Sequence, residues 1–254
     1  MPRASLRRPN PNLDLTPFLK EPESLPEIIS SQTLFGNDKP LEIEVGSGKG
    51  LFIQTESARR PEHNYFGIEI ARKYAAHCAA RLARRERTNA MMLAGDATPL
   101  FAPFQTASNF QNNSFDEATA TPIDGPPRIA SGSLEAVHVY FPDPWWKKRH
   151  RKRRVLSEAN IRQFSRALKV GGRLHFWTDV LDYFELTIEL IAELAPELGV
   201  PLPETQRDSE HDLDYHTHFE RRSRKFGIPV YRVCYRKRSD SKVVPVGTPS
   251  HASV

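Results

Sequence analysis

Leu41-Glu42-Ile43-Glu44-Val45-Gly46-Ser47-Gly48-Lys49-Gly50 decides how this chain folds. A short β-prone run stops abruptly at glycines placed at every second position. Glycines after a strand let the backbone pass close to a ligand, and they open a helix whose N-terminal amides favour negative charge. The expected helix, Leu51 to Arg59, follows at once and is stopped by Pro61. Strand, glycine turn and helix in this order predict a βαβ unit, and with it a parallel sheet.

Reading outward, Tyr65 to Glu69 is a second short strand ending in an acid, and residues 71–87 form an Ala- and Arg-rich helix with Ala75, Cys78, Ala79 and Leu82 on one side. Ala90 to Ala94 is a third strand, closed by Gly95-Asp96. Leu134 to Tyr140 alternates as a fourth. Ile161, Phe164 and Leu168 then space as one face of a helix that Gly171-Gly172 is expected to terminate. Leu174 to Trp177 reads as a strand ending at Thr178-Asp179, Val180 to Leu194 as an amphipathic helix, and Tyr231, Val233 and Tyr235 as a last strand. The expected class is α/β, a mostly parallel twisted sheet with helices on both faces.

Residues 1–38, rich in Pro, Asn and Ser, read as a flexible arm and lead-in, helical around Pro26 to Thr33. The main domain is expected over 39–237, with a polar insertion over about 102–132 read as a mobile surface loop, and a flexible tail over 238–254. A length of 254 residues supports one sizeable core without staples. Cys78 and Cys234 are the only cysteines and have no Cys-x-x-Cys or His pairing around them, so neither a disulfide framework nor a metal is expected. No apolar stretch approaches a bilayer span and the N-terminus has no apolar signal core, which predicts a soluble, cytoplasmic protein. The net charge of +5 is concentrated between Lys147 and Arg154 and again at Arg221, Arg222, Arg224 and Lys225. Such clustering argues for a polyanionic partner.

Three readings of the glycine loop compete. A P-loop needs glycine where Ile43 stands and Ser or Thr where Gly50 stands, so it fails. A dinucleotide fold needs its third glycine beyond Gly50, so that match is partial. In a nucleoside-binding methyltransferase loop, an acid such as Glu44, just before Gly46, meets the cationic amino-acid end of S-adenosylmethionine. Glu69, about twenty residues on, can accept ribose hydroxyls in either kind of nucleoside fold. Asp96 can accept hydrogen bonds from an adenine amino group.

The fourth strand runs into Phe141-Pro142-Asp143-Pro144-Trp145-Trp146 and then the basic block from Lys147. Proline fixes φ and removes a donor, so Asp143 sits in a stiff, extended segment. It falls on the same sheet edge as the other acids, while Lys147 and its neighbours suit phosphate. Trp145 and Trp146 suit either base stacking or core packing. A nicotinamide-dependent dehydrogenase gives no reason for this block, and an RNA-binding module gives none for the acids. Asp179 could cap the helix that follows it.

Ile43 to Gly50, Phe66-Gly67-Ile68-Glu69, Gly95-Asp96, Phe141 to Trp145, Trp177-Thr178-Asp179 and Thr217-His218-Phe219-Glu220 occur in the order seen in tRNA (guanine-N7-)-methyltransferases, and over roughly residues 35–237 the chain resembles that family. The resemblance implies a Rossmann-like class I methyltransferase fold and methylation of the variable-loop guanine, tRNA position 46, to 7-methylguanosine. It also implies that Glu44, Glu69 and Asp96 contact S-adenosylmethionine, that Asp143 is the active-site acid, and that Lys147, Asp179 and Thr217 to Glu220 bind tRNA or guanine. A monomer or weak homodimer is expected. Two departures stand out: the stretch from Asp96 to Phe141 is long for the family, and His218 stands where lysine is common.

Overall fold

The computed structural model describes residues 10, 12–102, 127–147, 149, 153–204, 215 and 217–239. The start of the arm, most of the polar insertion, part of the basic run and the tail from 240 lie outside the described residues.

The strands are β1 (Leu19–Lys20), β2 (Leu41–Val45), β3 (Asn64–Glu69), β4 (Ala90–Ala94), β5 (Leu134–Tyr140), β6 (Leu168–Thr178), β7 (Leu202–Pro203) and β8 (Tyr231–Arg236). The helices are α1 (Ser31–Phe35), α2 (Leu51–Arg59), α3 (Arg72–Ala83), α4 (Thr98–Phe101), α5 (Glu158–Ala167), α6 (Leu181–Leu194) and α7 (His218–Lys225). One sheet runs β1-β4-β3-β2-β5-β6-β8-β7. Its first six strands are parallel, and β8 and β7 close the far edge antiparallel. The chain steps outward from β2 through β3 to β4 and then returns to place β5 on the other side of β2. That reversal opens a crevice at the carboxyl ends of β2 and β5, where open α/β sheets bind ligands.

Both faces of the central strands are covered, which is why β2 is buried along its whole length. Alternation sends Ile43, Phe66, Val137, Val139 and Phe176 to one core. Tyr65, Met92, Tyr140 and Trp177 go to the other, where Phe52 of α2 and Cys78 of α3 meet them. Substituting most of these side chains would open a cavity in one of two separate cores.

On the second face the sheet also buries a polar row. Glu42, 2% exposed, accepts from His138 Nε2 at 2.8 Å and pairs with His63 at 2.7 Å and Arg60 at 3.0 Å. With Nε2–H committed to Glu42, His138 Nδ1 is left to accept from the Tyr140 hydroxyl at 2.9 Å. The His138 ring stacks on His175 at 4.6 Å, and His175 Nδ1 pairs with Glu204 at 2.7 Å. Glu204 also accepts from the Trp177 indole. A cavity of about 340 Å³ borders this row.

Three details depart from the expectations. First, residues 19–20 pair with β4, and Leu25 and Ile29 are buried in the core, so the lead-in is part of the packed domain. Its helix begins at Ser31, capped by Ser30, rather than near Pro26. Second, Gly171-Gly172 does not end a helix. α5 stops at Ala167, β6 starts at Leu168, and the glycines sit inside the strand, where the pairing with β5 shifts register between Leu134 and Ala136. A Cβ on Gly172 would lie 3.0 Å from the Leu134 carbonyl oxygen and 3.1 Å from that of Glu135, which explains glycine there. Third, Asp179 does not cap α6, whose N-cap is Val180 with no side-chain cap; the Val180 N–H donates instead to the Thr178 hydroxyl at 3.2 Å.

Candidate active site

Five acids predicted to be functional stand at or just beyond the carboxyl ends of five adjacent parallel strands: Glu44 on β2, Glu69 on β3, Asp96 after β4, Asp143 after β5 and Asp179 after β6. The sheet order alone brings them to one edge.

The glycine loop is shaped by positive φ at Gly46, Gly48 and Gly50 (81°, 54° and 67°), values that L side chains rarely adopt. Gly46 and Ser47 donate to the Ile68 carbonyl at 2.8 and 3.0 Å, which ties the loop to β3. Gly50 has a second constraint, because a Cβ there would sit 2.0 Å from the Cys78 sulfur. In front of Gly46 and Gly48 a Cβ would meet nothing within 4 Å. The loop is therefore packed from behind and open toward the crevice.

Glu44 lies behind that opening, 3% exposed, and its Oε2 has no hydrogen-bond partner. Burial pushes its pKa up to about 8; a hydrogen bond with Ser47 opposes the shift and the nearby Glu69 charge adds to it. A buried carboxylate oxygen left unpartnered costs stability unless a ligand supplies a donor. The ammonium of S-adenosylmethionine is such a donor, and the residues present fit that group.

Glu69 has a role that the sequence did not show. Its Oε2 accepts from the Gly48 N–H at 2.7 Å and its Oε1 from the Ala71 N–H at 2.8 Å. The carboxylate thus holds the tip of the loop and the start of α3 together, and each oxygen keeps a further lone pair for a ribose hydroxyl. Asp96 is exposed and accepts from the Thr98 N–H at 2.9 Å through Oδ1 at the entry to α4.

Asp143 is exposed, between two residues with left-handed backbone, Phe141 (φ 50°) and Trp145 (φ 42°). Such conformations cost about 1–3 kcal/mol each for non-glycine residues and persist only where the surroundings enforce them. Phe141 is held by its N–H, which donates to the Trp177 carbonyl at 2.7 Å, and by its ring, which stacks on Phe219 at 5.7 Å. Trp145 is half-buried, with the Arg153 guanidinium 5.3 Å from its ring centroid, and Trp146 is 49% exposed. Neither belongs to the core, whose tryptophan is Trp177. Lys147 and Asp179 are exposed beside this edge.

The stretch Thr217 to Glu220 opens α7 and divides into two roles. The Thr217 hydroxyl accepts from the Glu220 N–H at 3.0 Å as the helix cap. Glu220, 1% exposed, binds Arg224 at 2.9 Å and Arg232 of β8 at 3.3 Å, which fixes the helix to the sheet. His218 is pushed down to about 4 by burial and by the charges of Lys49, Arg81, Arg221 and His77, so it is neutral at pH 7. Its Nε2 is buried without a partner. Phe219, 52% exposed, is the member brought to the Phe141 segment. Through Phe219, α7 meets the segment that carries Asp143, by way of Phe141.

A family model described as a putative methyltransferase matches residues 38–116 and 126–233. The chain is 76% identical over 239 residues to the tRNA (guanine-N(7)-)-methyltransferase of Rhodopirellula baltica, covering 94% of this chain and 81% of that protein. It is 31% identical over 204 residues to the protein of the same name from Alkalilimnicola ehrlichii, covering 80% and 75%. Among solved structures, an antibiotic-related methyltransferase aligns with TM-score 0.53 at 14% identity, covering 81% of this chain and 94% of the other. The 16S rRNA methyltransferase KamB aligns with TM-score 0.52 at 16% identity, covering 82% and 92%. The two structures establish the class I methyltransferase fold. With that fold, the glycine loop at its switch point and the sequence identity, the chain belongs to the tRNA (guanine-N7-)-methyltransferase family.

Proposed function

We propose that this protein methylates N7 of the variable-loop guanine of tRNA, position 46, using S-adenosylmethionine. The observation that carries the reading is the unpartnered, buried Glu44 oxygen behind an open glycine loop, on the edge that also presents Asp143. Glu44 would hold the cofactor's ammonium, the Gly46–Gly48 backbone its amino-acid end, Glu69 its ribose and Asp96 its adenine. The bound sulfonium supplies an electrophilic methyl group.

Guanine N7 carries an in-plane lone pair and no proton, so no general base is required. Asp143 grips the N–H edge of the guanine and stabilises a purine that is becoming cationic. The two prolines and the held Phe141 fix where that carboxylate stands, and alignment of the reacting atoms supplies much of the acceleration. Lys147 and Phe219 are exposed and suited to touch RNA, with Asp179 at the same edge. Thr217 and Glu220 act by setting α7, and His218 stands on that helix as a neutral side chain with a buried, unpartnered Nε2 open to an RNA group. No helix among the described residues is long and apolar enough to cross a membrane. We read it as a cytoplasmic protein, in keeping with action on tRNA, and as a monomer or weak homodimer without a metal requirement.

Unmodified tRNA incubated with the protein and methyl-labelled S-adenosylmethionine is expected to gain one label, mapped by strand cleavage at 7-methylguanine to position 46. Absence of label from protein that binds the cofactor would end this reading, and label at another guanine would correct the position.

Cofactor affinity should also depend on pH. Glu44 holds its proton up to about pH 8 without ligand, whereas pairing with an ammonium requires the carboxylate. Binding therefore expels a proton below that pH. Affinity is expected to rise as pH increases from 6 toward 8, by as much as about tenfold per unit, and to fall above that as the cofactor's α-ammonium, with an ordinary pKa of about 8, loses its own proton. Calorimetry in buffers of different ionisation enthalpy measures the proton released, and Glu44→Gln should flatten the profile. A flat profile for the unaltered protein would remove Glu44 from the ammonium site.

A further inference from the structure

We infer that Arg154 is a positioning residue for Asp143 and does not belong to the RNA-binding run that precedes it; the inference rests on the assignment of Asp143 above. By sequence Arg154 is the last of a series of cations and looks like its neighbours. Lys147, Arg149 and Arg153 are exposed, whereas Arg154 is 7% exposed.

Its Nε donates to the Pro144 carbonyl at 2.7 Å, and Pro144 is the residue after Asp143. Its guanidinium lies 5.6 Å from the Trp146 ring centroid and 5.3 Å from that of Tyr183, a buried residue of α6. Two residues on, Leu156 enters the core with Val155 packed against it, and anchors this end of the segment. Arg154 is thus seated in the body of the protein and holds one atom of the catalytic loop.

One atom is enough for geometric reasons. Pro142 and Pro144 have fixed φ, so few dihedrals are free between Phe141 and Trp145. Phe141 is fixed at the upstream end by Trp177, as described above. At the downstream end, a charge-assisted bond to the Pro144 carbonyl fixes the peptide plane leading into Trp145, whose left-handed φ needs support. Only a guanidinium supplies an Nε donor and a flat surface for two aromatic rings together, so lysine is no substitute.

The test compares Arg154→Lys with Lys147→Gln in the full chain, using unmodified tRNA and methyl-labelled S-adenosylmethionine. Arg154→Lys is expected to lower the single-turnover rate at saturating tRNA by about tenfold or more. It should leave cofactor affinity and the salt slope of tRNA binding unchanged. Lys147→Gln should instead reduce the salt slope of tRNA binding by about 0.7–0.9. In an Asp143→Asn background, Arg154→Lys should cost little more, because it acts through that carboxylate.

A normal saturated rate with a reduced salt slope for Arg154→Lys makes it a phosphate ligand and overturns the inference, as does a full additional loss on top of Asp143→Asn. A mild effect of Asp143→Asn alone is a different outcome, since it removes the underlying assignment. Cofactor binding reports folding of each variant. If Arg154→Lys fails that check, Arg154→Gln, which keeps an N–H donor without the charge, is held to the same expectations.

Discussion

Asp143→Asn is expected to slow methyl transfer to saturating tRNA by about 10²–10³-fold while tRNA and cofactor still bind. Asparagine preserves size and one acceptor oxygen, and the two prolines keep the segment extended, so the change isolates charge. In the ground state the guanine is neutral and the carboxylate gains little from it. In the transition state positive charge spreads over the purine, and the carboxylate then contributes most. An interaction made mainly in the transition state shows in kcat and not in binding. Single-turnover rates at several cofactor concentrations separate the two. Near-normal turnover would show that Asp143 does not work through its charge.

The largest effect on stability is expected at Glu42, away from the crevice. It is nearly inaccessible and satisfies His138, His63 and Arg60 together. Burial by itself would raise its pKa, but hydrogen bonds from His138 and His63 and the charge of Arg60 overcome that and hold it well below the usual carboxylate range. Removing one partner of such a group leaves the others buried without compensation, at about 3–5 kcal/mol. Glu42→Leu should therefore lower the melting temperature by roughly 10 °C.

The pH dependence follows from the same shift. A depressed carboxylate contributes stability above its unfolded pKa, and this is lost as pH falls. Burial also holds His138 low, so the unfolded state takes up that proton first and adds to the loss below about pH 6.5. Chemical denaturation at pH 7 and pH 4 is expected to show a larger acid loss for the unaltered protein than for Glu42→Leu. Equal acid losses would show that the row contributes nothing through protonation.

Much of this is legible in the sequence itself. β2, β4 and β5 lie where the sequence puts them, because short apolar runs bounded by glycines or acids leave few alternatives. Placing the acids at strand ends required only that the sheet be parallel. What stayed hidden depends on the third dimension. A two-residue strand such as β1 is too short to show a period. The glycines in β6 resemble a helix stop because the same φ freedom serves a cap and a bulge. The Glu42 row draws on residues from three strands and the connections beside them, and depends on register across the sheet. Nothing in a run of arginines distinguishes the one that is buried. Glu69 was correctly placed at the edge, but its grip on Gly48 depends on how the loop turns back.

The small strand β1 has a consequence for how the protein survives in a concentrated solution. An uncovered outer strand of a parallel sheet offers a row of free amides to any other chain. Leu19 and Lys20 occupy that row on β4, opposite Met92 and Leu93. The segment before the glycine loop therefore guards the sheet against self-association, and a version trimmed to begin at β2 would trade a shorter chain for a tendency to aggregate.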